Sequence, residues 1–518
     1  MPNRSTDSLF QLIHSLQKSE KRNFKLYVKR NTSNNDLKIV QLFDALDKMK
    51  EYDEKELMNK TITIKREQLS NMKAHLYRQI LASLRVLESN ENIDIQLHEQ
   101  LDYARILYNK GLYLQSLRIL DRVKENARAH NQVSFLIGVL FLEKKIETLH
   151  ITRSMQDRAD ALTSESNNTN EMLIKVTKLS NLALQLYSWY IKNGHARNKN
   201  DEKEVENYFR ENLTDDIKKP EGFYEKLYFN QSYCWYAFIR QDFLLYYRYS
   251  QKWVDLFTED TFMIEIETAN YIKGLHNLLN AHFTLRNYNG FDKTLKLLED
   301  FRDSDTVKHN NNNQVQVFVY LYTSKINQHF LEGTFKEGLQ IIPDIDQQLK
   351  DFGIYLDHHR VLVFYYKIAS LYFGAGDYGT AVDYLNKIIN WKVDLRNDLQ
   401  CYARLLHLIS HYELGNFQLL EYLIKSVYRF MAKMQNLSLV EEEMFKFLRK
   451  SFYLSARKLQ PEFVKLLETI RQLEKSKFET RAFAYLDIIS WLESKVNDKP
   501  IYEIIREKYL SGKRLSHH

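Results

Sequence analysis

The sequence predicts an all-α protein: an α-solenoid of stacked antiparallel helix pairs with helical N- and C-terminal caps. Three observations predict it. Six hexapeptides carry an aromatic residue five positions before a second one, with Gly, Gln or Arg two places ahead of the second ring: Tyr108–Tyr113, Phe238–Phe243, Phe283–Tyr288, Phe330–Phe335, Phe373–Tyr378 and Tyr412–Phe417. The last five second rings stand 45, 47, 43 and 39 residues apart, the period of a helical array. The 130-residue interval from Tyr113 to Phe243 leaves room for about two degenerate copies. Composition agrees, because 14 Gly and 5 Pro in 518 residues, with 44% hydrophobic and 27% charged residues, suit long amphipathic helices and exclude disorder. The third observation is helical spacing of apolar residues on both sides of a hexapeptide. Tyr365, Ile368, Ala369 and Tyr372 form a stripe before Gly376, and Ala381, Leu385 and Ile388 form one after it.

Residues 1–90 read as a basic helical block without the hexapeptide. Asp7 caps a helix bearing Leu9, Phe10, Leu12, Ile13 and Leu16; Ser19 caps a second bearing Phe24, Tyr27 and Val28; Asp36 opens a third bearing Leu37, Val40, Leu42, Phe43 and Leu46. A short helix over 54–59 and a long one over 69–88 follow. Helix pairs occupy 95–430, interrupted by polar loops at 194–203 and 310–313. A helical cap over 435–518 is expected in four pieces, 440–457, 462–474, 478–495 and 501–510, with Pro220, Pro343 and Pro461 at helix starts or turns.

Ile368, Ala369, Tyr372, Gly376, Tyr378 and Ala381 stand where the tetratricopeptide repeat has large, small, aromatic, Gly, aromatic and small residues, and residues 95–430 resemble that family. Gly111, Tyr113 and Ser116 match it, as do Gly333, Phe335 and Gly338, whereas Tyr246 and Phe291 fill the small position. The spacing exceeds the family's 34 residues, which helices of about 17–20 residues explain. The resemblance implies a concave face made by the first helix of each pair, which grips a peptide or protein. By position that groove comprises Gln231, Trp235, His276, Asn277, Asn280, Thr323, Asn327, Tyr366, Lys367 and Ser370. Their side-chain amides suit an extended backbone. The paired rings themselves read mainly as wedges between the two helices.

Chemistry finds little support. Gly374, Gly376 and Gly379 spell G-x-G-x-x-G, yet the preceding residues have helical and not strand periodicity. His407 and His411 lie one turn apart without a third ligand, and no catalytic triad, phosphate loop or carboxylate pair stands out. The expectation is a non-enzymatic scaffold with no cofactor and no metal. Cys234 and Cys401, the only cysteines, form neither a disulfide framework nor a zinc spacing, so a reducing cytoplasm is expected. No signal-peptide pattern opens the sequence, and the apolar stretch 133–142 is too short to cross a bilayer, so no membrane partner is expected.

Net charge is +7, of which residues 1–90 carry +6 (17 Lys or Arg against 11 Asp or Glu). Lys18, Arg22, Lys25 and Lys29 form a helical stripe suited either to solvent or to nucleic-acid phosphates. A regulator that contacts nucleic acid through this block while its repeats sense a partner is the alternative function.

Overall fold

The computed structural model describes residues 7–30, 34–61, 63–89, 92–150, 156–353, 355–391, 397–434, 437–451, 453–479, 483 and 486–515. All regular structure among them is helical, with no strand. No described helix is long and apolar enough to cross a membrane. The chain divides into two compact units, residues 1–173 and 174–518.

The first unit holds α1 (Ser8–Ser15), α2 (Lys18–Arg30), α3 (Asn34–Asp47), α4 (Glu54–Lys60), α5 (Arg66–Glu88), α6 (Ile93–Asn109), α7 (Tyr113–Ala129), α8 (Val133–His150) and the start of α9 (Gln156–Asn193). The Asp7 carboxylate caps α1, accepting from the Leu9 and Phe10 N–H groups at 3.1 Å each. Ser19 does not cap α2, which begins at Lys18; instead Glu20 reaches back to accept the Gln17 N–H at 2.6 Å. The side chains of Asp36 and Leu37 lie outside the described residues. Leu9, Ile13, Phe24, Val28, Leu42, Phe43, Leu46, Leu57, Leu76 and Ile80 form one core. Leu97, Leu101, Ala104, Leu120, Val123, Val139 and Ile146 of α6–α8 form another. Beside it, Glu143 is fully buried between the Lys124 ammonium, 2.7 Å away, and the Arg158 guanidinium.

The second unit continues α9 and adds α10 (Lys199–Asn212), α11 (Phe223–Ile239), α12 (Phe243–Glu259), α13 (Met263–Ile266), α14 (Thr268–Thr284), α15 (Tyr288–Arg302), α16 (Asp305–Lys308), α17 (Asn311–Glu332), α18 (Phe335–Gly338), α19 (Ile342–Asp351), α20 (His358–Ala375), α21 (Tyr378–Ile389), α22 (Asn397–Glu413), α23 (Phe417–Lys433), α24 (Leu439–Ser451), α25 (Ala456–Leu473), α26 (Ile488–Asn497) and α27 (Ile501–Leu515). Both expected polar loops shrink into helix starts. Asn198 caps α10 by accepting from the Asn200 and Asp201 N–H groups, and Asn310 caps α17 by accepting from Asn313, because an amide side chain satisfies helix-end donors as readily as it fills a loop. The expected 440–457 helix breaks into α24 and α25, Pro461 lies inside α25, and the expected 478–495 helix begins only at Ile488.

All six hexapeptides are turns between helices, and one geometry serves all of them. The residue two before the second ring is left-handed in every copy: Gly111, Gln241, Arg286, Gly333, Gly376 and Gly415 have φ between 52° and 88°. The next N–H closes a bond to the carbonyl five residues back, as from Asp377 to Tyr372 and from Asn287 to His282, both 2.9 Å, which is the Schellman helix stop. That same residue then caps the following helix: the side chains of Asp242, Asn287 and Asp377 accept from Leu245, Gly290 and Thr380 N–H groups at 3.0–3.1 Å. Five of the ring pairs touch, with centroids 5.3–6.5 Å apart. Asn131, between α7 and α8, and Asp498, between α26 and α27, repeat the left-handed stop without rings.

The C-terminal helices run back along these turns. Trp491 donates its indole N–H to Glu413 at 2.6 Å, beside the Tyr412–Phe417 turn. Arg506 donates to the Glu332 carbonyl at 3.1 Å, and Gly333 permits that approach, since a Cβ there would stand 2.7 Å from the Arg506 nitrogen. Tyr509 meets Tyr288 edge-on at 4.9 Å, and the Lys477 carbonyl accepts from Gln241 at 3.1 Å. This stretch therefore binds earlier turns and not only the outer face of the last helix pair.

Candidate functional site

Helices α11, α14, α17 and α20 are each the first member of a pair. One side of each feeds the cores: Leu227 and Cys234; Ile272, Leu275 and Leu279; Val317, Leu321 and Ile326; Leu362, Ile368 and Leu371. Another side carries polar and aromatic groups that connect one helix to the next. Tyr224 on α11 donates its hydroxyl to Glu267 at 2.7 Å, Asn270 on α14 donates to the same carboxylate at 2.7 Å, and Gln231 donates to Asn270 at 3.0 Å. The Lys273 ammonium lies 5.6 Å from the Trp235 ring and 5.1 Å from the Tyr320 ring, which joins α11, α14 and α17. His276 stacks on Tyr320 at 4.2 Å, and its Nε2 accepts from the Asn280 amide at 3.1 Å, leaving Nδ1 without a hydrogen-bond partner. Lys367 on α20 donates to the Asn327 carbonyl oxygen on α17 at 2.5 Å and lies 5.6 Å from the Phe330 ring.

The electrostatics of this stripe disfavour further positive charge and suit an anion. Burial, and after it the Lys273, Lys367 and Arg360 charges, hold His276 well below the usual imidazole range. Burial alone lowers Lys367 to about 8. Among the described residues no carboxylate lies within ion-pair distance of Lys273 or Lys367, while Arg360 has Asp357 at 3.8 Å.

The expected groove residues separate into two groups. Gln231, His276, Asn280, Lys367 and Ser370 are half-buried on the stripe, and Trp235 and Asn327, although buried, join it through Lys273 and Lys367. Thr323 and Tyr366 are buried as well. Asn277 is a correction: it is 2% exposed and turns away, its side-chain oxygen accepting the Tyr246 hydroxyl of α12 at 3.2 Å, because one residue beyond His276 lies about 100° round the helix. Asn270, Lys273 and Tyr320 were not anticipated, yet 270, 273, 276 and 280 follow the three-and-four spacing of a single helix face.

On α2, Lys25 is paired with Asp44 of α3 at 2.7 Å and the neighbouring Lys21 with Asp47 at 2.7 Å, while Lys18, Arg22 and Lys29 are exposed. Acidic residues of α3 thus offset part of the stripe that carries the N-terminal charge. The G-x-G-x-x-G stretch ends helix α20 and starts α21, with no strand before it, and a Cβ on Gly374 would run into the Phe335 ring. His407 and His411 are buried, with ring centroids 4.4 Å apart, and His411 Nδ1 accepts from the Asn416 amide at 3.0 Å. Burial and Ser250 leave the Cys234 thiol at about 12, burial being the larger effect.

No protein-family model matches the chain, and no curated protein matches it in sequence.

Proposed function

We propose that this protein is a cytoplasmic, non-enzymatic scaffold of tetratricopeptide-like helix pairs stacked as a solenoid, and that it binds a peptide segment or protein along the stripe of α11, α14, α17 and α20. The observation that carries the reading is the continuity of that stripe. Four first helices are joined through hydrogen bonds and ring contacts between half-buried polar groups, from Tyr224 on α11 to Lys367 on α20. A monomer gains little from half-burying amides and cations there, whereas a bound chain would use them as donors and acceptors. Helices already held by packed turns need little ordering on binding, which raises affinity.

Panning a random peptide library on the full chain tests this. Peptides should be enriched whose binding weakens on Asn280→Ala or Trp235→Ala while the far-ultraviolet circular dichroism is unchanged. Failure to enrich any peptide that competes for this stripe would overturn the proposal.

A further inference from the structure

Resting on that reading, we infer that the bound segment is acidic, and that two of its carboxylates, about three residues apart, meet Lys273 and Lys367. The two ammonium groups are fixed in place by neutral groups only. Lys273 lies between the faces of Trp235 and Tyr320, and Lys367 is tied to the Asn327 carbonyl oxygen and the Phe330 ring. Ring faces and an amide oxygen orient a cation without cancelling its charge. Both lysines and Arg360 act on the same imidazole, His276, and no anion acts on it with them. Around these two lysines the stripe therefore presents positive charge with no carboxylate among the described residues at ion-pair distance, the Glu267 carboxylate being held by Tyr224 and Asn270. The setting is half-buried, where charge interactions exceed those in open water.

The spacing follows from where the lysines lean. Lys273 stays over its own helix between α11 and α17, whereas Lys367 reaches from α20 onto Asn327 and Phe330 of α17. Their contacts on α17, Tyr320 and Asn327, are seven residues apart, which separates the two charges by about 10 Å along that helix. An extended chain advances about 3.3 Å per residue, so the matching acids are about three residues apart. Asn280, half-buried on α14 beside His276, is the side-chain amide near enough to bond the intervening backbone.

The test uses the same random library on the full chain, followed by fluorescence anisotropy with an enriched peptide, its Glu→Gln analogue and its phosphoserine analogue. The expected result is enrichment of Asp or Glu pairs three apart. Affinity should fall about tenfold or more on either Lys273→Gln or Lys367→Gln, as expected for losing one charge-assisted contact. Lys273→Arg should retain most of it, and circular dichroism of each variant should match the parent. If the enriched peptides are neutral or basic, and still depend on Asn280 and Trp235 but not on the lysines, the acidic assignment is wrong and the groove stands. If nothing is enriched, the groove falls and the assignment with it. A phosphoserine peptide that binds where its glutamate counterpart does not overturns the carboxylate assignment.

Discussion

Replacing Gly376 with alanine isolates the cost of the left-handed stop from every packing effect. Gly376 has φ 88°, and a Cβ built there would find nothing within 4 Å, so the substitution neither clashes nor fills space. What remains is the penalty for an L-residue in the left-handed region, about 1–2 kcal/mol, partly offset because alanine has fewer unfolded conformations to lose. A net loss of about 1 kcal/mol is expected for Gly376→Ala. The reverse change, Arg286→Gly, should gain up to about 1 kcal/mol, since Arg286 has φ 52° and its side chain is exposed. Gly374→Ala is the contrast, because its methyl would run into the Phe335 ring, and about 1–3 kcal/mol of overpacking is expected. The assay is urea unfolding of the full chain followed by circular dichroism, with hydrogen exchange of the 372–380 and 282–290 amides to localise each change. Should Gly376→Ala leave stability unaltered, or Arg286→Gly reduce it, the stop is not what shapes these turns.

Three further outcomes follow from buried groups. Glu143→Gln should destabilise the first unit by about 2–3 kcal/mol, less than loss of a fully isolated buried pair because Lys124 keeps Glu165 at 3.4 Å; differential scanning calorimetry reads this, and a shift below about 0.5 kcal/mol would refute it. The Cys234 thiol, buried and pushed up to about 12, should resist iodoacetamide at pH 8 in the native chain and react once urea unfolds it, as mass spectrometry would show. His282 and His407 are lowered to about 4, chiefly by burial. Each therefore adds stability that is complete above the unfolded value near 6.5 and lost as pH falls from there toward 4, roughly 3 kcal/mol apiece at most. His407→Gln should flatten that part of a urea-midpoint profile against pH, and an unchanged slope would contradict the assignment.

The helix pairs were legible because each hexapeptide compresses a helix stop and a helix start into six residues. Glycine at the fourth position marks the stop in four copies, and Gln241 and Arg286 were recognisable only by alignment with those glycines. The turns at Asn131 and Asp498 escaped notice because neither carries rings, although asparagine and aspartate are the residues besides glycine that adopt this conformation most readily. Asn277 and Asn280 show how register limits reading of the site. Both are asparagines on α14, and only the accumulated helical angle decides that Asn277 is buried against Tyr246 while Asn280 stays half-buried beside His276. The return of α27 onto earlier turns was not legible, since amphipathic spacing tells which side of a helix is apolar but not what it covers. Gly512 is a local trace of it, as Gly333 is: a Cβ on Gly512 would stand 2.8 Å from the Tyr288 ring.

That return sets a timetable for synthesis. The Tyr288 turn leaves the ribosome more than 200 residues before Tyr509 and Gly512 exist to cover it, an interval of about 10–45 s at 5–20 residues per second. For that time the edge later closed by α27 is open on the nascent chain. A chain truncated in the 490s would carry its helix pairs with that edge bare.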